Sequence, residues 1–207
     1  MMPLKLSATP GSWALFSARR SDKAFERFRQ KILERDQNTC QYCGFQANEF
    51  QEIVNLDGDY RNNKMDNMVI ACCFCTQCHF LEAVGRNQYG GGTLIYLPDM
   101  TQEELDGLCH VLFCAIANAT AYRDDAQAIY RNLKLRSQEL EQHLGEGMSN
   151  PALLGQMMID AQLDNRKSIE ATVLDKIRLL PSRSRFAEQI DAWAKAALEE
   201  LAETQEK

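Results

Sequence analysis

The sequence predicts an α+β protein: a metal-held, turn-rich first part with short strands, followed by a region that is nearly all helix. Three observations carry this. Cys40-Gln41-Tyr42-Cys43 and Cys72-Cys73-Phe74-Cys75 are two Cys-x-x-Cys pairs with about 30 residues between them, the arrangement of a structural zinc site. The stretch between them is rich in turn residues: Asp36-Gln37-Asn38, Cys43-Gly44, Asp57-Gly58-Asp59 and Asn62-Asn63. From Thr101 onward, apolar residues recur at helical spacing. The change of character divides the chain into residues 1–99 and residues 100–207.

Taken in order, residues 1–20 read as irregular, because Pro3, Pro10 and Gly11 interrupt them; Trp13 and Phe16 are candidate anchors. Ser21 or Asp22 can cap a helix running to about Arg35, with Phe25, Phe28 and Ile32 on one face. Short strands or a hairpin fit residues 39–41 and 51–56. A helix is expected over 75–84. Gly90-Gly91-Gly92 then breaks the chain, and Thr93 to Leu97 reads as a strand ended by Pro98. Thr101-Gln102-Glu103-Glu104 matches a capping box, with Leu105, Leu108 and Leu112 following. A second helix over about 121–144 carries Ile129, Leu133, Leu140 and Leu144, and Gly145 and Gly147 end it. Asn150-Pro151 opens a third, since proline is tolerated in a first turn. A fourth is expected from Ser168 to Leu180, stopped by Pro181. The last carries one apolar stripe: Phe186, Ile190, Trp193, Ala197, Leu198 and Leu201.

Composition narrows the function classes. The chain has 207 residues, 45% of them hydrophobic, enough to bury a core. Its apolar runs fall far short of the roughly 20 residues a membrane span needs. Met1 to Gly11 shows no cationic start followed by a long apolar stretch, so no secretory signal is expected. Eight cysteines without such a signal predict a reducing, cytoplasmic setting and metal rather than disulfides. The formal charge is −6. Residues 1–99 hold 11 Lys+Arg and 11 Asp+Glu, so the deficit lies in residues 100–207, with 12 and 18. A nucleic-acid binder normally shows a basic footprint, and this chain has no global one.

The metal constellation leaves one choice open. Cys40 and Cys43 form a knuckle in which Gly44 permits the tight turn. The run Cys72-Cys73-Phe74-Cys75-Thr76-Gln77-Cys78 contains two overlapping frames, 72/75 and 75/78, so Cys78 can replace Cys72. Cys109 and Cys114, five apart on a helix, point in different directions and read as small core hydrophobes. Cys73 reads as non-ligating. Met157, Met158 and nearby Met148 suit either a core or a partner surface. Glu199, Glu200, Glu203 and Glu206 crowd the end of the last helix, where acid opposes the helix dipole.

The stretch from Ile32 to Cys75 resembles the HNH nuclease family. The residues that carry the resemblance are Ile32-Leu33-Glu34-Arg35-Asp36, Cys40-Gln41-Tyr42-Cys43-Gly44, Leu56-Asp57-Gly58-Asp59-Tyr60-Arg61-Asn62-Asn63, Asp66-Asn67-Met68, Cys72 and Cys75. The resemblance implies a structural zinc on Cys40, Cys43, Cys72 and Cys75, around a ββα unit that in the family carries a catalytic metal and a histidine base. The departures matter more. Val54 and Asn55 stand where the family has its histidines, and Thr76 stands after the last cysteine. Asn67 is kept, but the histidine it would orient is not there. Phosphodiester hydrolysis needs a base to activate water and a metal to offset phosphate charge, and valine and asparagine do neither. Asp57 and Asp59 read as turn residues first and cation ligands second. The expectation is an HNH-like scaffold with no catalytic residues; the alternative is a metal-dependent HNH-type endonuclease with a relocated base, for which His79 is the candidate.

Across essentially its whole length, the order of features resembles subunits of the type IVB (Dot/Icm) secretion coupling complex. These features are the degenerate HNH core, the run from Ala71 to Cys78, the Gly-Gly-Gly-Thr-Leu-Ile-Tyr-Leu-Pro segment at 90–98, and the helical second half. That resemblance implies a cytoplasmic, non-catalytic adaptor, associated with the inner-membrane complex through its partners. It implies binding to the C-terminal tail of the coupling ATPase DotL, alongside other coupling-complex subunits, and no nucleic acid. It marks no residue as the tail-binding one.

Overall fold

The computed structural model describes residues 1–86, 89–161 and 174–205. Its described helices and strands follow the order α1 (Ser12–Arg20), α2 (Lys23–Arg35), β1 (Gln51–Asn55), β2 (Met68–Cys72), α3 (Cys73–Gln77), β3 (Gly92–Tyr96), α4 (Gln102–Ala117), α5 (Arg123–Leu144), α6 (Pro151–Asp160), β4 (Ile177–Pro181) and α7 (Ala187–Gln205). The class is α+β. Among the described residues, no helix is long and apolar enough to cross a membrane.

The opening segment is extended but pinned. Leu4, Leu6 and Ala8 are buried. The Met2 amide donates to the Gln41 carbonyl and the Ser7 amide to the Cys78 carbonyl, while Leu81 N–H returns to Ser7 O. Residues 12–20 are helical, where the prolines and glycine predicted irregular chain. Gly11 serves as the cap in the left-handed region (φ 79°), so the supposed breaker starts a helix. The α2 helix begins as expected, with the Asp22 carboxylate accepting from the Ala24 amide. Its buried face is Ile32 and Leu33, however; Phe28 is 47% exposed.

β1 and β2 form an antiparallel pair, Gln51 opposite Cys72, Ile53 opposite Ile70 and Asn55 opposite Met68. The expected strand at 39–41 is only an isolated bridge between Thr39 and Gln46. The second strand of the hairpin is instead Met68–Cys72, a short apolar run whose length alone did not mark it. One face of the hairpin meets α2 through Ile32, Leu33, Ile53, Met68 and Ile70. The helix expected over 75–84 is a five-residue α3, then a 3-10 turn at Leu81–Ala83.

β3 pairs with β4, Leu94 opposite Leu179 and Tyr96 opposite Ile177. The helix expected from Ser168 to Leu180 is therefore a strand over Ile177–Pro181; residues 168–173 lie outside the described residues. Strand pairing, a tertiary event, overrides the local pattern there. The capping box at Thr101 forms, with Glu104 N–H donating to Thr101 Oγ1 and Thr101 N–H to Glu104 Oε2. Gly90-Gly91-Gly92 is a close-packed strip more than a break. A Cβ on Gly90 would lie 2.6 Å from Gln77 Oε1, on Gly91 2.5 Å from Arg185 Cγ, and on Gly92 2.5 Å from Leu180 O. One apolar cluster joins Leu4, Phe16, Cys72 and Phe74 to Leu105, Leu112, Leu179 and Ile190. Met158 belongs to this cluster and Met157 is exposed.

Candidate metal centre

The knuckle at 40–43 is closed by its own backbone. Cys40 N–H donates to Phe45 O, Gly44 N–H donates to Cys40 O, and Gly44 adopts φ 76°. Opposite it, Cys72 ends β2 and caps α3, its sulfur accepting from the Cys75 amide at 3.5 Å. One helical turn then brings Cys75 to the same side. The sulfurs of Cys40, Cys43, Cys72 and Cys75 all lie within 4.8 Å of one another. Cys43 and Cys72 sulfurs are 3.7 Å apart. A tetrahedral zinc with Zn–S near 2.3 Å has sulfur–sulfur edges of about 3.8 Å, so this spacing fits the ion. Cys40, Cys72 and Cys75 are buried and Cys43 is half-buried. Hydrogen bonds from Cys43 first, then Cys72 and Cys75, hold the Cys40 thiol far below its usual range, whereas burial pushes Cys72 and Cys75 up. The four cysteines can hold a metal ion. Cys78 is turned away, its thiol donating to Phe74 O at 3.5 Å.

Helix α4 supports the cluster from the second half of the chain. His110 Nε2 lies 3.3 Å from Cys72 Sγ. Its ring is stacked between Phe45 (3.6 Å, 7°) and Phe74 (4.4 Å, 19°), with Trp193 edge-on at 5.1 Å. Burial lowers His110 to about 3, so the imidazole is neutral. The Cys75 thiol donates to Asp106 Oδ2 at 3.3 Å. Asp106 is fully buried, and burial raises its carboxyl well above the carboxylate range. Gln102 Nε2 donates to the other Asp106 oxygen and to Leu179 O, while Gln102 Oε1 accepts from Leu179 N–H. A polar relay therefore runs from the sulfurs to β4. Sequence reasoning missed Gln102, Asp106 and His110. Their signal was present: three polar residues at i, i+4 and i+8 on the face of α4 that also carries Leu105, Cys109 and Leu112.

The positions expected to lack catalytic groups are now occupied in detail. Val54 is buried in the apolar cluster. Asn55 Oδ1 accepts from Arg19 Nη1 at 2.6 Å, and Asn55 Nδ2 donates to the Asp59 and Asn62 carbonyls. Asn67 Nδ2 donates to Asp57 Oδ1 and Asn62 O, and its Oδ1 accepts from the Asp57 amide. Asp57 also accepts from the Asp59 amide and from Asn62 Nδ2. This is a braced turn. Among the described residues, the four cysteines are the one group of three or more His, Cys, Asp and Glu gathered closely enough to hold an ion. His79 packs on Tyr42 at 5.4 Å, and burial lowers it to about 4. Cys109 is buried, Cys114 half-buried, and Cys73 half-buried beside a surface cleft.

No family model matches the chain. It is 58% identical over 200 residues, 97% of this chain and 93% of the relative, to the type 4 apparatus protein DotN of Legionella pneumophila subsp. pneumophila (strain Philadelphia 1).

Proposed function

Because this chain belongs to the DotN family of type 4 apparatus proteins, we propose that it is a non-catalytic adaptor subunit of a type IV secretion coupling complex. It binds the C-terminal tail of the coupling ATPase DotL and sits in the cytoplasm, held at the inner-membrane complex through its partners. The identity across nearly the whole chain is the observation that carries this reading. Cys40, Cys43, Cys72 and Cys75 hold a structural zinc in an HNH-like ββα core within residues 1–99, and residues 100–207 form the helical region. The ion neutralises buried thiolates and ties the knuckle to the β2–α3 junction. The two positions where the family has its histidines offer no base to take a proton from water: Val54 is aliphatic, and the Asn55 amide is spent on Arg19 and the turn.

Two measurements test this. Purified protein should retain the coupling ATPase tail as a stoichiometric complex on size exclusion; no co-elution sinks the adaptor reading. Incubated with plasmid and Mg²⁺ or Mn²⁺, it should leave the DNA intact. Cleavage abolished by His79→Ala would establish the endonuclease alternative instead.

A further inference from the structure

A cleft of about 270 Å³ opens between α1, the start of β1, Tyr89–Gly90 and the residues leading into α7. Its walls are aromatic: Trp13 and Tyr89 rings lie 4.0 Å apart, with Phe50 and Phe186 nearby. Two of its polar atoms are unmatched. The Tyr89 hydroxyl and Gln189 Oε1 are both buried and find no hydrogen-bond partner among the described residues. A buried polar atom without a partner is costly unless water or a ligand satisfies it. Tyr89 offers a donor and Gln189 an acceptor, so the complement carries both kinds of group.

Charge decides the rest. Glu52 lies in the wall, but its Oε1 is 2.8 Å from Arg20 Nη2, so that carboxylate is already balanced. Arg185 pairs with no carboxylate among the described residues. Its Nε donates to Gly90 O at 3.2 Å and its stem lies where a Gly91 side chain would be. The guanidinium is thereby held at the rim without being neutralised, and a fixed, unpaired guanidinium favours a carboxylate.

We propose that this cleft binds a carboxylate-bearing ligand, its anionic group taken by Arg185 and the Tyr89 hydroxyl and its own N–H donated to Gln189 Oε1. A free N-acyl amino acid and an acidic side chain on a peptide share this chemistry. The site is independent of the adaptor reading, since none of its residues contributes to the cysteine cluster.

The test uses the two indoles of the full-length protein. Trp13 walls the cleft, whereas Trp193 Nε1 donates to Glu49 O elsewhere. ¹H–¹⁵N spectra are recorded while titrating N-acetyl-L-glutamate, an acetylated and amidated Glu-containing tetrapeptide, and N-acetyl-L-glutamine as the neutral control. A saturable shift of the Trp13 indole is expected with at least one carboxylate, in the range of about 1 mM for so small a ligand. Arg185→Gln, at an exposed position, should weaken it about tenfold, as should the neutral control. Tighter binding of the peptide assigns the site to an acidic segment, tighter binding of the free compound to a metabolite. No saturable shift with either carboxylate, or an Arg185→Gln protein that binds as well, overturns the proposal.

Discussion

A few side chains carry disproportionate consequences because they are buried and polar. Zinc-finger peptides gain about 10–16 kcal/mol from their ion, comparable to the roughly 5–15 kcal/mol net stability of a whole domain. Cys40→Ser should therefore give insoluble or unfolded protein; a soluble, cooperatively melting, zinc-free variant would contradict the structural role. His110 acts through Cys72. Its neutral imidazole at 3.3 Å can donate to the sulfur, and the Phe45–Phe74 sandwich holds its plane. Outer partners of this kind are worth about 10–100-fold in metal affinity. His110→Ala should release zinc to a colorimetric chelator faster by about that factor while Cys109→Ala, off the cluster, should not. Arg19 is the third such group, donating to Asn55, Asn63 and Ile53 O and lying 4.6 Å over the Phe25 ring. Burial lowers its affinity for the proton, but its acceptors keep it in place.

At the scale of elements, α6 rests on the 3-10 turn at Leu81–Ala83 with no intervening side chain. A Cβ on Gly155 would overlap the backbone of Leu81 and Glu82. Gly155→Ala should cost about 1–3 kcal/mol by overpacking, despite its better helix propensity, and denaturant melts will read this. An increase in stability would show that α6 can slide. The same contact buries Glu82, whose Oε2 has no partner among the described residues and whose carboxyl is raised to about 7. The native state then holds a proton that the unfolded chain releases at ordinary carboxylate pH. Stability therefore falls as pH rises from the unfolded value through about 7. Glu82→Gln should flatten that fall and gain about 1 kcal/mol at slightly alkaline pH, the figure being limited by solvent screening. Equal slopes in the two proteins would remove Glu82 as the cause.

Across the whole molecule, the cysteine cluster and the helical region share one interior. Trp193, from α7, lies against Phe45, Phe74 and His110, and Gln102 bridges Asp106 to β4. Removing the metal with a strong chelator should thus change Trp193 emission and loosen α4 and α7 together with the knuckle. Retention of the native near-UV signal in metal-free protein would show that apolar packing alone suffices. Helices with caps or long periodic faces were legible: Asp22, Thr101 and Asn150 each cap where expected. Helix α1 was hidden because a cap glycine and a breaking glycine look alike before φ is known. Strands β2 and β4 were hidden because five-residue, mostly apolar segments are too short to show a period of their own, and only a partner strand makes them extended.

Sequence by itself determined the chemistry available: four cysteines at metal spacing, no histidine at Val54 or Asn55, helices with their stops, and a relationship to the DotN family. Tertiary structure decided which groups meet. It gathered Cys72 with Cys75 and turned Cys78 aside, brought His110 and Asp106 of α4 against their sulfurs, and left Arg185 without a carboxylate partner among the described residues at an aromatic cleft. The reason is physical. Residue types and local spacing follow from covalent order, whereas contacts between distant residues depend on how the elements close around a common interior.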